Sequence, residues 1–160
     1  FMLFVTIPKV MSFSGGMKLP DMMPTGYDAD YLNLLFTTLG EKGRDAYLFN
    51  QIPADMIYPF LFGISYCLIL AYILNKLGKF DSYLFYFCLI PMLAGLFDYC
   101  ENTGIILMLS GYPKDIETLA GVTNVFSVLK GTLTTIYFIS LILFLVNLGF
   151  KKLKNNVLFK

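Results

Sequence analysis

The sequence predicts an all-α fold: a four-helix transmembrane bundle with a long, partly helical extracytoplasmic segment between its first and second spans. Three observations support this prediction. Hydrophobic residues make up 57% of the chain and charged residues only 14%, whereas soluble domains carry about 25% charged residues. Three apolar runs each reach the roughly 20 residues that cross a bilayer core. We therefore expect residues 1–160 to form a single membrane domain.

Four spans are expected, at residues 55–76, 83–110, 118–148 and, at the amino-terminal end, 1–13. The stretch 1–13 is too short to cross alone, so we interpret it as the outer half of a clipped first span. A cleaved signal peptide is the alternative, but no small-residue cleavage pattern follows it. Pro91 predicts a kink within the third span.

Lysines predict the orientation of the chain. Lys76 and Lys79 follow the second span. Four more lysines follow the last span: Lys151, Lys152, Lys154 and Lys160. In a four-span protein these two segments share one side of the membrane, and the positive-inside rule makes that side cytoplasmic. We therefore expect both termini in the cytoplasm.

The outer segment is predicted to be helical over residues 28–50. Asp28 is placed to cap a helix, Gly40 to end it, and a second short helix is expected from Lys42 to Asn50, ending before Pro53. The apolar face of the first helix carries Tyr31, Leu32, Leu35, Phe36 and Leu39. Because this helix lacks a lysine-rich polar face, we expect it to cover the bundle rather than lie on the bilayer.

Polar residues interrupt the third span. Carboxylates near the middle of a span cost roughly 2.5–3.5 kcal/mol each on insertion scales. Asp98 and Glu101 share one helix face, with Asn102 beside them. Glu101 and Lys130 of the last span both lie about 15 Å below the outer surface, counted at 1.5 Å per residue. We therefore expect Lys130 to pair with Glu101 or Asp98.

The second carboxylate must then be neutralised in another way. It stays protonated, or it pairs with Arg44, Lys9, a tyrosine hydroxyl or a bound cation. Thr123 and Ser127 extend the polar stripe of the last span. Arg44 of the outer segment and Asp55 at the start of the second span are expected at the rim of the site. For Asp55, an alternative is that it only stabilises the positive end of its helix.

Several classes of function are disfavoured. The chain has no histidine, which removes the usual general base, histidine-ligated metals and histidine-activated nucleophiles. Its three cysteines lie in apolar spans without C-x-x-C spacing, so we interpret them as packing residues. A net charge of +1 argues against nucleic-acid binding. We expect no metal and no cofactor, and we favour a protein that is not an enzyme.

Two interpretations of the polar centre remain open. In the first, the centre binds a lipid-like or hydrophobic ligand that enters from the bilayer between the third and fourth spans. In the second, the network fixes helix register in an accessory subunit of a larger membrane complex or in a homo-oligomer. Translocation of protons or ions is a weaker alternative. The residues of this centre are Asp98, Glu101, Asn102, Lys130, Ser127 and Thr123.

Four phrases of the sequence carry a resemblance. They are Gly-Tyr-Asp at 26–28, Leu-Gly-Glu-Lys-Gly-Arg-Asp-Ala-Tyr at 39–47, Gln-Ile-Pro-Ala-Asp at 51–55 and Phe-Asp-Tyr-Cys-Glu-Asn at 97–102. Together they resemble a group of small, uncharacterised bacterial four-span membrane proteins. The resemblance implies a place in the bacterial inner membrane and implies no activity. In architecture alone the chain is similar to claudins and to the sterol-binding EXPERA proteins, although it lacks the claudin W-x-x-C pair.

Overall fold

The structure is a computed structural model that describes residues 1–158, and it is helical along most of this length. Six α-helices follow one another: α1 (Ile7–Met11), α2 (Ala29–Ala46), α3 (Ile52–Asp55), α4 (Tyr58–Leu77), α5 (Ile90–Gly111) and α6 (Glu117–Leu158). Between or before them lie π-helical turns at Met2–Thr6 and Tyr47–Gln51, and 3₁₀ segments at Pro20–Met22 and Tyr83–Leu89. No β-strand occurs within residues 1–158, so the all-α class is confirmed.

Three helical stretches are long and apolar enough to cross a membrane: Ala29–Leu77, Tyr83–Gly111 and Glu117–Lys154. These stretches support an integral membrane protein. The amino-terminal apolar helix, Met2–Met11, is shorter than these three stretches. The count of four spans therefore stays a prediction. The extracytoplasmic position of the segment between the first and second spans also stays a prediction.

Small residues bring α5 close to both of its neighbours. A Cβ atom added to Gly104 would lie 2.0 Å from the Thr123 hydroxyl oxygen of α6. One added to Gly95 would lie 2.9 Å from the carbonyl oxygen of Pro59 in α4. Close backbone approach of this kind is typical of helix packing in membranes. It makes α5 the central helix of the bundle.

The predicted start of α2 is present, and Gly40 breaks the helix at the predicted position without ending it. The Asp28 carboxylate accepts a hydrogen bond of 2.7 Å from the Tyr31 backbone N–H, which caps the helix. Gly40 has φ +60° and interrupts the helix. The left-handed region that Gly40 occupies is accessible to glycine at little cost.

The apolar face of α2 packs against one end of the bundle. Its four central side chains, Leu32, Leu35, Phe36 and Leu39, are buried. They share a hydrophobic core with Ile105 and Met108 of α5, with Ile116 just before α6 and with Ala120 in the first turn of α6. Within the chain, α2 therefore covers the bundle, as its composition predicted.

Two predictions based on proline are wrong. The helix expected from Lys42 to Asn50 does not end before Pro53, because the chain continues through the π-helical turn into α3. Pro91 lies in the first turn of α5, after the 3₁₀ segment, so it does not kink an α-helix from within. Both prolines occupy the helix start, where the missing N–H has no helical partner to lose.

The lysine-rich ends of α4 and α6 lie together. The Lys151 ammonium donates a hydrogen bond of 3.0 Å to the carbonyl oxygen of Lys76 in the last turn of α4. These segments therefore share one end of the bundle, and the side of the membrane that this end faces stays a prediction. Lys160, part of the same predicted cluster, lies outside the described residues.

Candidate functional site

Lys130 of α6 binds two carboxylates of α5. Its ammonium donates to Asp98 Oδ1 at 3.1 Å and forms a second ion pair with Glu101. Glu101 is fully enclosed and Asp98 is 6% exposed. The sequence predicted one of these two pairs, and the structure contains both. The three-residue spacing on α5 places both carboxylates on the face that meets Lys130.

Tyr27 supplies a second partner to Glu101. Its hydroxyl donates to Glu101 Oε1 at 3.2 Å. The backbone N–H of Tyr27 donates to Asn124 Oδ1 of α6 at 2.8 Å, which anchors the segment. Burial and the neighbouring Glu101 carboxylate raise the pKa of the Tyr27 hydroxyl. The hydroxyl therefore keeps its proton and can act as a donor.

Asp21 lies in the same segment as Tyr27, between α1 and α2. The Gln51 amide donates to Asp21 Oδ2 at 3.2 Å, and the Thr6 hydroxyl donates in turn to Gln51. Asp21 Oδ1 is enclosed and has no hydrogen-bond partner within residues 1–158. Burial raises the pKa of Asp21 to about 6, although the positive charge of Lys130 opposes the shift.

Asp55 ends α3 and is 4% exposed. In the part of the chain that the structure describes, it forms no ion pair. The side-chain amide of Asn102 lies close to it. Neither amide atom of Asn102 completes a hydrogen bond of standard geometry with any described residue. Asp55 and Asn102 thus form a buried polar contact that lacks a complementary charge.

A cavity of about 1040 Å³ lies beside this network, bounded by the amino-terminal helix, α3, α4, α5 and α6. Its polar wall consists of Asp21, Asp55, Asp98 and Lys130, together with Asn50, Thr134 and Thr135. Most of the remaining lining is apolar, with Phe4, Ile7, Leu61 and Phe62 among its members. The volume reaches the upper end of the range for small-molecule pockets, which is roughly 300–1,000 Å³.

Four of the predicted site residues lie behind the cavity wall rather than in it. Glu101 and Asn102 are fully buried, and neither lines the cavity. The Thr123 hydroxyl donates to the Leu119 carbonyl at 2.7 Å and packs against Gly104, which indicates a packing role. Ser127 is enclosed on the same stripe of α6, near the Tyr27 hydroxyl.

Arg44 does not lie at the rim of the cavity. Its guanidinium donates to the Phe36 carbonyl at 2.9 Å and lies 4.1 Å from the centre of the Tyr112 ring. Carbonyls near a helix end need partners from outside the helix, and Arg44 supplies one near the break in α2. Lys9 likewise binds Asn50 and no carboxylate, so neither basic residue neutralises the buried acids.

Sequence reasoning missed three members of the network: Asp21, Tyr27 and Gln51. The segment that carries Asp21 and Tyr27 had the composition of an irregular loop. In the structure it packs against α6, where a Cβ atom on Gly131 would lie 2.6 Å from the Pro24 carbonyl oxygen. The one available signal was an acid placed between Pro20 and two methionines.

Within residues 1–158, no group of three or more histidine, cysteine or acidic residues is placed to hold a metal ion. Cys67, Cys88 and Cys100 are unpaired thiols. The arrangement instead offers one shared cation, several carboxyl groups and a large apolar cavity beside them.

Neither a scan against protein-family models nor comparisons with curated proteins and with solved structures found a match. The resemblance to bacterial four-span membrane proteins therefore stays a prediction.

Proposed function

We propose that the protein binds a lipid-like or hydrophobic ligand in the cavity beside the Lys130 network and performs no chemistry on it. The observation that carries the proposal is the cavity, with about 1040 Å³ of space and a mostly apolar lining that includes the charged side chains of Asp21, Asp55, Asp98 and Lys130. Ligand pockets typically combine an apolar lining with a few polar groups that orient the ligand. An amphipathic molecule fits this division.

The outer rim of the cavity supports access from the bilayer. Phe4 is 88% exposed, Leu61 56% and Tyr58 48%, although all three line the cavity. In a membrane these apolar surfaces would contact lipid chains. A ligand can then move from the bilayer into the cavity without crossing water.

The proposal places the protein in the bacterial inner membrane with both termini in the cytoplasm. The joined basic ends of α4 and α6, marked by Lys76 and Lys151, support this orientation under the positive-inside rule. Lys130 lies about 31 Å along α6 from Lys151, counted at 1.5 Å per residue. The polar wall of the cavity would then lie inside the membrane, in the half that is nearer the outer surface.

The two ion pairs of Lys130 favour a second candidate function. Buried charges that are fully paired can serve to fix helix register, and α5 and α6 are the most extensively packed helices of the chain. The protein would then be an accessory subunit of a larger membrane complex. This candidate explains Glu101 and Lys130 but does not require a cavity.

Native mass spectrometry of the protein gently extracted from its own membrane separates the two candidates. The test variant is Thr134→Trp, which fills the cavity one helical turn beyond Lys130. Its matched control is Ile139→Trp on α6, a position that is 55% exposed and outside the cavity. We expect a small-molecule adduct on the wild type and the control that is absent from Thr134→Trp.

An adduct of equal intensity on all three proteins would contradict a ligand in this cavity. A stoichiometric protein partner without any adduct would support the accessory subunit instead. Size-exclusion profiles of the three proteins establish that each is folded and monodisperse before the comparison.

A further inference from the structure

The charges around the cavity are unbalanced. Four carboxyl groups, those of Asp21, Asp55, Asp98 and Glu101, belong to the buried network, and Lys130 is the basic residue that pairs with members of it. Lys130 already binds Asp98 and Glu101. The remaining two acids, Asp21 and Asp55, have no ion pair within residues 1–158.

The two acids without an ion pair both face the cavity. Asp55 is 4% exposed and lines the cavity. Asp21 also lines the cavity, and its enclosed Oδ1 has no hydrogen-bond partner among the described residues. Buried charges in native proteins are nearly always paired or hydrogen-bonded. Asp21 and Asp55 lack a compensating positive charge within residues 1–158, and the cavity that both residues line is the place from which a ligand can supply one.

We propose that the ligand is a cationic amphiphile, with a protonated amine held between Asp55 and Asp21 and a hydrocarbon chain against the apolar wall. This inference rests on the proposed function and names the class of ligand. An ammonium group offers three hydrogen-bond donors and a positive charge, and both are what these carboxylates lack. Leu61 and Phe62, on the α4 side of the cavity, offer apolar contacts for the chain.

Other head groups fit less well. An anionic head would face a surplus of carboxylates. A neutral alcohol would leave one or both acids without a compensating charge, at the cost of keeping them protonated or desolvated. A bare metal ion lacks a ligand cluster within residues 1–158, and it would leave most of the apolar cavity unfilled.

Three probes with the same twelve-carbon chain test the inference: dodecylamine, dodecanol and laurate. The full chain is reconstituted in nanodiscs of zwitterionic lipid at pH 8, and each probe is titrated while native mass spectrometry records its occupancy. We expect dodecylamine to bind at least tenfold more tightly than dodecanol, and laurate to bind more weakly than either. Repeating the titrations with the Thr134→Trp variant measures how much of each probe binds outside the cavity.

Two variants assign the preference to particular residues. Asp55→Asn and Asp21→Asn keep the shape of each side chain, and each should lower dodecylamine affinity at least fivefold while leaving dodecanol binding unchanged. Asp45→Asn, an exposed acid of α2, is the control and should change neither. The comparison of the three probes on the wild type decides whether the site prefers a cationic head group, even where a variant fails to fold.

The outcomes separate this inference from the proposed function. Equal binding of dodecylamine and dodecanol would overturn the cationic ligand and leave a hydrophobic ligand site standing. A preference for laurate, or displacement of dodecylamine by millimolar MgCl₂ at constant ionic strength, would also overturn it. Failure of all three probes to bind in the cavity would overturn both proposals.

Discussion

Replacing Lys130 with methionine should reveal how much the buried network contributes to stability. Methionine keeps an unbranched side chain but removes the cation that Asp98, at 3.1 Å, and Glu101 share. Glu101 is fully enclosed and Asp98 is 6% exposed. Removing one partner of a buried ion pair costs about 3–5 kcal/mol, because the other charge stays buried without compensation. Since the Lys130 side chain is 18% exposed, we expect the lower end, a loss of about 3 kcal/mol.

The assay is reversible unfolding in mixed micelles of increasing denaturing-detergent fraction, followed by far-UV circular dichroism. Adding Glu101→Gln to Lys130→Met removes one uncompensated carboxylate and should recover part of the lost free energy of unfolding. The control is Lys114→Met in the exposed link between α5 and α6, which should change stability by less than about 0.5 kcal/mol. A loss below about 1 kcal/mol for Lys130→Met, or no recovery in the double variant, would refute this reasoning.

Two further predictions concern packing and pH. Gly104→Ala should lower the free energy of unfolding by about 1–3 kcal/mol, because its Cβ would lie 2.0 Å from the Thr123 hydroxyl oxygen. The control is Gly121→Ala, whose Cβ would have no atom within 4 Å and which should not destabilise the protein. Equal effects of the two substitutions in the same assay would contradict the close contact at Gly104. Burial raises the pKa of Asp21 from its ordinary value of 3.8 to about 6. The folded state therefore retains the proton where the unfolded state has lost it, and the contribution of Asp21 to stability falls as pH rises through this window. Relative to Asp21→Asn, the wild type should therefore lose about 3 kcal/mol between pH 3 and 7, at 1.36 kcal/mol per pKa unit. Parallel pH profiles of the two proteins would show that Asp21 is not buried as described.

Local patterns in the sequence predicted the parts of the structure that depend on neighbouring residues. The cap at Asp28 and the break at Gly40 follow from side-chain and backbone chemistry within one helical turn. An ion pair of Lys130 with either Glu101 or Asp98 followed from helix periodicity and from counting depth in antiparallel spans, although the structure contains both pairs. The cap and break of α2 and the facing of Lys130 towards the carboxylates of α5 depend only on local backbone chemistry and regular helix geometry.

The remainder of the site depends on contacts between distant parts of the chain. Tyr27 binds Glu101 across 74 residues and Asn124 across 97, and no spacing rule connects such positions. Arg44 was expected at the cavity because it is basic and lies in the outer segment, but the course of the chain after Gly40 directs it to Phe36 and Tyr112 instead. A loop that packs into a bundle has no periodic signature, so its contribution to the site could not be predicted.

The division of the ion pairs between two helices bears on how the chain enters the membrane during synthesis. Asp98 and Glu101 belong to α5, while their cation, Lys130, belongs to α6. If α5 moved alone from the translocon into lipid, it would carry both carboxylates without compensation, at roughly 2.5–3.5 kcal/mol each. The connection between the two helices spans only residues 112–116, so Lys130 is synthesised soon after the acids. Lateral release of α5 and α6 as a single helical hairpin is therefore favoured over release one helix at a time.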